Sequence, residues 1–188
     1  MDRVVTKAYA KINLGLDVLR RRPDGYHEVK MVMQTVGIYD ELTFTKRDRD
    51  ILVTVEAEDL PAGAVPADEN NLIYKAAKQL MDKYNVTEGI HIHLKKNIPV
   101  AAGMAGGSTD AAAAYRGVNL MFDLGATEEE ICEMAVKVGA DVPYCVKGGT
   151  ALSEGIGEIL TMLPDAPDCF VLVAKPDIFV SKIGRAHV

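Results

Sequence analysis

Residues Ile98–Asp110 read IPVAAGMAGGSTD and run directly into four alanines, Ala111–Ala114. Gly103, Gly106 and Gly107 have no Cβ, so the backbone here can turn tightly and approach a ligand closely. Ser108 is a good helix N-cap and alanine is the strongest helix former, which predicts a helix over Ser108–Phe122. A glycine loop feeding a helix N-terminus aims N–H groups and the positive end of the helix dipole at an anion, and phosphate is the expected one. The plain alternative is a glycine turn ahead of a closely packed helix. Two common phosphate loops do not fit. A P-loop needs Gly-Lys-Ser/Thr, whereas Ser108 and Thr109 follow Gly107. The spacing Gly-x-x-Gly-Gly also differs from the dinucleotide fingerprint.

Five further segments occur in a fixed order: Ala8–Leu16 (AYAKINLGL), Arg22–His27 (RPDGYH), Asn70–Ile73 (NNLI), Gly139–Pro143 (GADVP) and Glu154–Leu160 (EGIGEIL). Together with the Pro99–Thr109 loop they resemble the GHMP kinases, ATP-dependent kinases of small molecules, from about Val4 to Lys182. The resemblance implies an α+β fold, the GHMP kinase N-terminal domain, which shares its fold with part of a ribosomal protein. That domain is expected over residues 1–160. Residues 161–182 would begin a second, ferredoxin-like domain that is mostly missing. Residues 183–188 (IGRAHV) leave the resemblance and are the translation of a sequencing-adapter string, so a non-native tail is expected there.

The set RPDGYH, glycine loop and GADVP implies a particular reaction within the family. It is ATP-dependent phosphorylation of the 2-hydroxyl of a cytidine diphosphate methylerythritol, in non-mevalonate isoprenoid biosynthesis. Without a third glycine-rich motif, and without an aromatic wall beyond Ser181, the fragment is expected to be weakly active or inactive. Two alternatives stay open: another GHMP kinase acting on homoserine, mevalonate or a sugar, and a non-catalytic nucleic-acid-binding module of the same fold.

By this resemblance Asp141 is the catalytic base and Lys11 its partner beside the transferring phosphoryl group. Read alone, Asp141 could be a turn or helix-capping carboxylate, and Lys11 a solvated strand lysine. ATP would lie along Pro99, Val100, Ala101, Ala102, Gly103, Met104, Ala105, Gly106, Gly107, Ser108 and Thr109. Lys96 would meet it, or be an ordinary surface lysine. Asn71 and Leu72 match the family's adenine-side residues, although Asn71 could simply cap the helix it precedes. Ser108 is the best local hydroxyl for Mg²⁺, which keeps waters and takes few protein ligands. Asn13, Tyr26 and His27 would hold the substrate; an aromatic face stacks on a pyrimidine and a histidine can bond its polar edge. Tyr26 also reads as a routine strand aromatic.

The elements that must position these residues come from periodicity. Strands are expected at Val4–Tyr9, Ile12–Leu19, His27–Ile38, Glu41–Thr45 and Ile51–Glu56, with Pro23-Asp24-Gly25 turning a hairpin. Leu60–Asn70 reads as a loop, Asn71–Tyr84 as an amphipathic helix and Ile90–Lys95 as a strand. Thr127 and Glu130 form a capping-box pattern for a helix over Thr127–Val138. Later strands are expected at Pro143–Lys147, Thr150–Leu152 and Cys169–Ala174.

At 188 residues the chain fits one domain, or one and part of another. A net charge of -6 argues against nucleic-acid and membrane partners. No apolar run reaches the ~20 residues of a membrane span, and MDRVVTKAYA has no signal or transit character. A cytoplasmic location follows as an expectation; oligomeric state is left open. Cys132, Cys145 and Cys169 are odd in number and lack metal spacing, so buried free thiols are expected, the first in a helix and the others in strands. His27, His91, His93 and His187 make no metal set. His91 and His93 should share the polar face of one strand.

Overall fold

The computed structural model describes residues 2–58 and 65–175. It opens with a long hairpin. β1 (Arg3–Arg21) and β2 (His27–Arg47) are antiparallel, and each merges two strands expected separately. Both bend instead of breaking, because the ladder slips between Tyr9 and Lys11, between Asn13 and Gly15 and between Val18 and Arg20. The predicted turn is present. Gly25 takes a positive φ of 87°, and Asp24 accepts the Tyr26 N–H at 3.1 Å, an Asx-type turn.

β3 (Ile51–Glu56), α1 (Leu72–Lys83) and β4 (Gly89–Lys95) make a crossover that sets β3 parallel to β4. With β5 (Thr150–Glu154) and β6 (Ile159–Met162), the sheet order is β3-β4-β2-β5-β6, and β1 lines the opposite edge of β2. The helices α1, α2 (Gly106–Phe122), α3 (Glu128–Ala135) and α4 (Val142–Lys147) complete the domain. The core holds Met33, Leu42, Phe44, Ile90, Ile92 and Leu94 of the sheet against Ile73, Leu80, Tyr115 and Val118. Each such side chain contributes roughly 1.5–3 kcal/mol by burial. α2 is central and buried continuously from Thr109 to Tyr115. Gly117 lets it lie on β2: a Cβ there would fall 2.2 Å from the Phe44 ring.

Several expectations hold. α1 follows the predicted stripe, the Thr127–Glu130 capping box is formed, and β4 and β5 occur where expected. His91 and His93 flank Thr54 on one face, His91 Nε2 at 2.8 Å and His93 Nδ1 at 3.0 Å from its hydroxyl. Others are corrected. The segment expected as a strand at 143–147 is the buried helix α4, because Pro143 follows N-cap Asp141 and pre-sets a first turn. A short apolar run cannot be assigned by periodicity alone. Residues 169–174 form no strand, because no neighbouring strand pairs with them among the described residues; Phe170 and Leu172 are exposed. β6 was not anticipated, and it crosses the expected domain boundary at 160. Of the thiols only Cys145 is buried; Cys132 is half-buried and Cys169 exposed. The expected loop at 60–70 lies partly outside the described residues, as do the 176–182 part of the second domain, the 183–188 tail and His187.

Candidate active site

The ladder slip after Tyr9 places Lys11. Tyr9 faces Tyr39, but Lys11 faces Thr35, so the strands part locally. There the Lys11 N–H donates to the Met104 carbonyl at 3.1 Å, which joins β1 to the glycine loop. The Lys11 ammonium donates to Asn13 Oδ1 at 3.1 Å and stands 3.9 Å from Asp141 Oδ2. Both side chains of the ion pair are more than nine-tenths buried. The solvated-lysine alternative therefore fails. Asp141 occupies the N-cap of α4 with no side-chain capping bond, so its carboxylate faces Lys11 rather than the helix. Gly157 approaches from the other side, where a Cβ would lie 3.7 Å from Asp141 Oδ1.

The loop has an unusual backbone. Ala101, Gly103 and Ala105 all take positive φ (58°, 78° and 56°). Alternation of this kind can turn successive N–H groups toward one concavity, the geometry of a backbone nest. For the two alanines the left-handed conformation costs of order 1 kcal/mol each, strain characteristic of a functional loop. Ala10, Ile98 and Met104 form a small second core that holds the loop down. α2 starts at Gly106 with Ala105 as N-cap, two residues before the expected Ser108. Ser108 is instead a half-buried hydroxyl in the first turn, 4.0 Å from where a Gly139 Cβ would lie and hence toward the Asp141 side. Thr109 is buried and donates its hydroxyl to the Tyr9 carbonyl at 2.7 Å.

Around this centre the other expected residues fall into three groups. Asn71 caps α1, accepting the Ile73 N–H at 2.8 Å, and Leu72 lies 3.6 Å from a Gly107 Cβ, so the start of α1 borders the loop. Lys96 is not a surface lysine. Its ammonium is buried against Asp40 and stands 3.6 Å from Asp110 Oδ2. Tyr26, well exposed, and His27 stand at the tip of the β1–β2 hairpin, beyond the Lys11–Asp141 pair. The Gly155–Gly157 turn links that hairpin to the pair: Val29 N–H donates to Gly155 O at 2.8 Å.

Burial pushes the Asp110 carboxyl well above the usual carboxylate range, opposed by Lys96. The Cys145 thiol, one turn beyond Asp141, is pushed up to about 12, chiefly by burial, so it offers no thiolate nucleophile at neutral pH. Asp40 and Asp110 escaped the sequence analysis. The available signals were an acid inside an apolar alternating strand and another inside an alanine helix. No group of three or more His, Cys, Asp or Glu fit for a metal ion occurs among the described residues. The Ser108 hydroxyl, in the first turn of α2, is an oxygen of the kind a magnesium ion takes beside phosphates and water. No helix among the described residues is long and apolar enough to cross a membrane.

Residues 71–149 match the GHMP kinases N terminal domain. The chain is 50% identical over 182 residues to a protein of Lachnoclostridium phytofermentans named 4-diphosphocytidyl-2-C-methyl-D-erythritol kinase, covering 96% of this chain and 61% of that one. It is 52% identical to the protein of the same name from Lachnospira eligens, covering 96% and 62%. The chain thus spans about 60% of the length of these relatives. The crystal structure of 4-(cytidine 5'-diphospho)-2C-methyl-D-erythritol kinase superposes with a TM-score of 0.71 at 32% identity, over 85% of this chain and 55% of that one. A homoserine kinase from Cytophaga hutchinsonii shares the fold, with a TM-score of 0.67 at 19% identity over 87% of this chain and 52% of that one. With a buried lysine–aspartate pair beside its glycine loop and half of its residues shared with such relatives, this chain carries a GHMP kinases N terminal domain over residues 71–149.

Proposed function

We propose that this chain is the nucleotide-binding part of a 4-diphosphocytidyl-2-C-methyl-D-erythritol kinase, which moves the γ-phosphoryl of ATP to the substrate's 2-hydroxyl. The observation that carries the proposal is the buried Lys11–Asp141 pair, 3.9 Å apart, whose lysine is tied through its own backbone to Met104 of the glycine loop. In such a transfer, positioning and charge neutralisation do most of the catalysis. Asp141 takes the hydroxyl proton, and Lys11 neutralises charge on the moving phosphoryl group while Asn13 holds its ammonium. The amides from Gly103 to Gly107 receive the triphosphate, Asn71 and Leu72 border the adenine, and Lys96 supports the loop from beneath. Tyr26 and His27 take the cytidine. Magnesium, when bound, would supply charge neutralisation on the phosphates, and Ser108 is the local hydroxyl that would help to hold it. Residues 163–175, with their exposed Phe170 and Leu172, begin the second lobe. An ATP-consuming enzyme with unpaired thiols fits the cytoplasm.

Identity near one half over 96% of the chain favours this substrate over homoserine or mevalonate, whose kinases share the fold alone. The test uses the chain joined to the remaining length of the Lachnoclostridium relative, with ADP release as readout. The cytidine diphosphate alcohol should be phosphorylated and mevalonate and homoserine should not. Asp141→Ala should cut the rate by ~10²–10⁴, the range of a general base, without unfolding the protein. A rate within a few-fold of wild type overturns the assignment of Asp141. A salt-dependent shift of RNA, without turnover, would favour the nucleic-acid module.

A further inference from the structure

Asp40 lies on β2 with its side chain fully buried. One carboxylate oxygen accepts two consecutive backbone amides, Asn97 N–H at 2.5 Å and Ile98 N–H at 2.7 Å. The other bonds the Lys96 ammonium. That ammonium reaches across to α2: it is 3.6 Å from Asp110 Oδ2, and a Cβ on Gly106 would lie only 2.8 Å from it. Asn97 and Ile98 are the last residues before Pro99, where the loop starts, and Gly106 is where its far end enters α2. Asp40 and Lys96 therefore grip both ends of the loop from below. Asp110 Oδ1, also buried, has no hydrogen-bond partner among the described residues, so Asp110 contributes through one oxygen alone.

We propose that Asp40 is a positioning residue for the phosphate loop: through Lys96 and the Asn97 and Ile98 amides it fixes the span between loop start and finish, presetting the nest for a triphosphate. This rests on the kinase reading of the loop. It also makes Lys96 a strut, acting on the nucleotide through Gly106 and not by direct contact. The two roles are separable. Asp40→Asn keeps an oxygen for the two amides but turns an NH₂ toward Lys96, which releases the ammonium. A strut then fails, whereas a phosphate-binding lysine becomes more available.

The experiment compares wild type, Asp40→Asn, Lys96→Met and the double variant in the 188-residue chain. ATP affinity is measured by calorimetry, amide hydrogen exchange is followed over residues 97–110, and urea midpoints are recorded. Each single variant should weaken ATP by about tenfold, and the double variant should be little worse than either, since both act on one device. Loop amides should exchange faster at denaturant levels where the core remains protected. Asp40→Asn binding ATP as well as wild type or better, with Lys96→Met weaker, overturns the proposal in favour of direct contact. Unchanged loop exchange overturns it as well. If wild type binds no ATP, the kinase reading falls, and loop exchange alone decides the strut: faster sustains it, unchanged removes it. Where Asp40→Asn does not fold, Asp40→Glu, which keeps the charge but displaces it by one methylene, carries the same comparison.

Discussion

Lys11 and Asp141 stand 130 positions apart in the chain and 3.9 Å apart in space. Both side chains are buried, and a buried charge is tolerated only when paired and hydrogen-bonded. Lys11 has Asn13 as well as Asp141. Removing one member of such a pair leaves the other as an uncompensated buried charge. Lys11→Met should therefore destabilise the domain by ~3 kcal/mol, the low end for a broken buried pair because the contact is long. Lys11→Met with Asp141→Asn removes both charges and should recover most of that loss. Urea unfolding measures the recovery, and ADP release from the completed enzyme should remain absent in both variants. Recovered stability without recovered turnover separates the pair's chemistry from its structural cost. Equal destabilisation of single and double variants would mean that the two charges do not interact.

At the scale of elements, the site depends on how closely α2 lies on the sheet, since its first turn finishes the loop. Gly117 sets that distance eleven residues further on, with a Cβ position 2.2 Å from the Phe44 ring, and Phe44 is fully buried and hemmed in. Gly117→Ala gains helix propensity of about 1 kcal/mol. Overpacking against a ring that cannot retreat costs more, so a net loss of ~2 kcal/mol is expected. Urea unfolding tests it, and an unchanged or raised midpoint would show that the helix can lift off. How much of this was legible follows the same physics. The glycine loop, α1, β4 and the Thr127 capping box were readable because local chemistry fixes each of them. The β1–β2 bend was not, because the ladder slip that merges four expected strands into two is set by pairing partners. The helix over Val142–Lys147 looked like a strand because six apolar-rich residues have no period, although Asp141 and Pro143 mark a helix start. Among site residues, motif resemblance pointed to Lys11 and Asp141, which the fold brings together, but the burial of Lys96 between Asp40 and Asp110 is a tertiary fact with no local signature.

For the whole molecule, the question is what holds the α1 layer to the α3–α4 unit that carries Asp141. Glu130 of α3 does so. It accepts the Thr127 N–H at 3.0 Å, the Tyr84 hydroxyl at 3.1 Å and the Lys83 ammonium at 3.0 Å, the last two from the C-terminal end of α1. These bonds, led by the Thr127 amide and followed by Lys83 and Tyr84, hold its carboxyl down to about 2 against an ordinary 4.5. A carboxyl depressed in the folded state favours folding above its unfolded value, and that contribution is lost as pH falls through the folded value. The wild-type urea midpoint should therefore decline between pH 4.5 and about 2 more steeply than that of Glu130→Gln. At higher pH the variant should be the less stable of the two. Added salt discriminates further. The Lys83 pair is exposed and will be screened, whereas the Thr127 amide bond is local and will not be. Most of the difference between the two proteins should accordingly survive high salt. Parallel acid profiles would show that α1 and α3 are held by apolar packing alone.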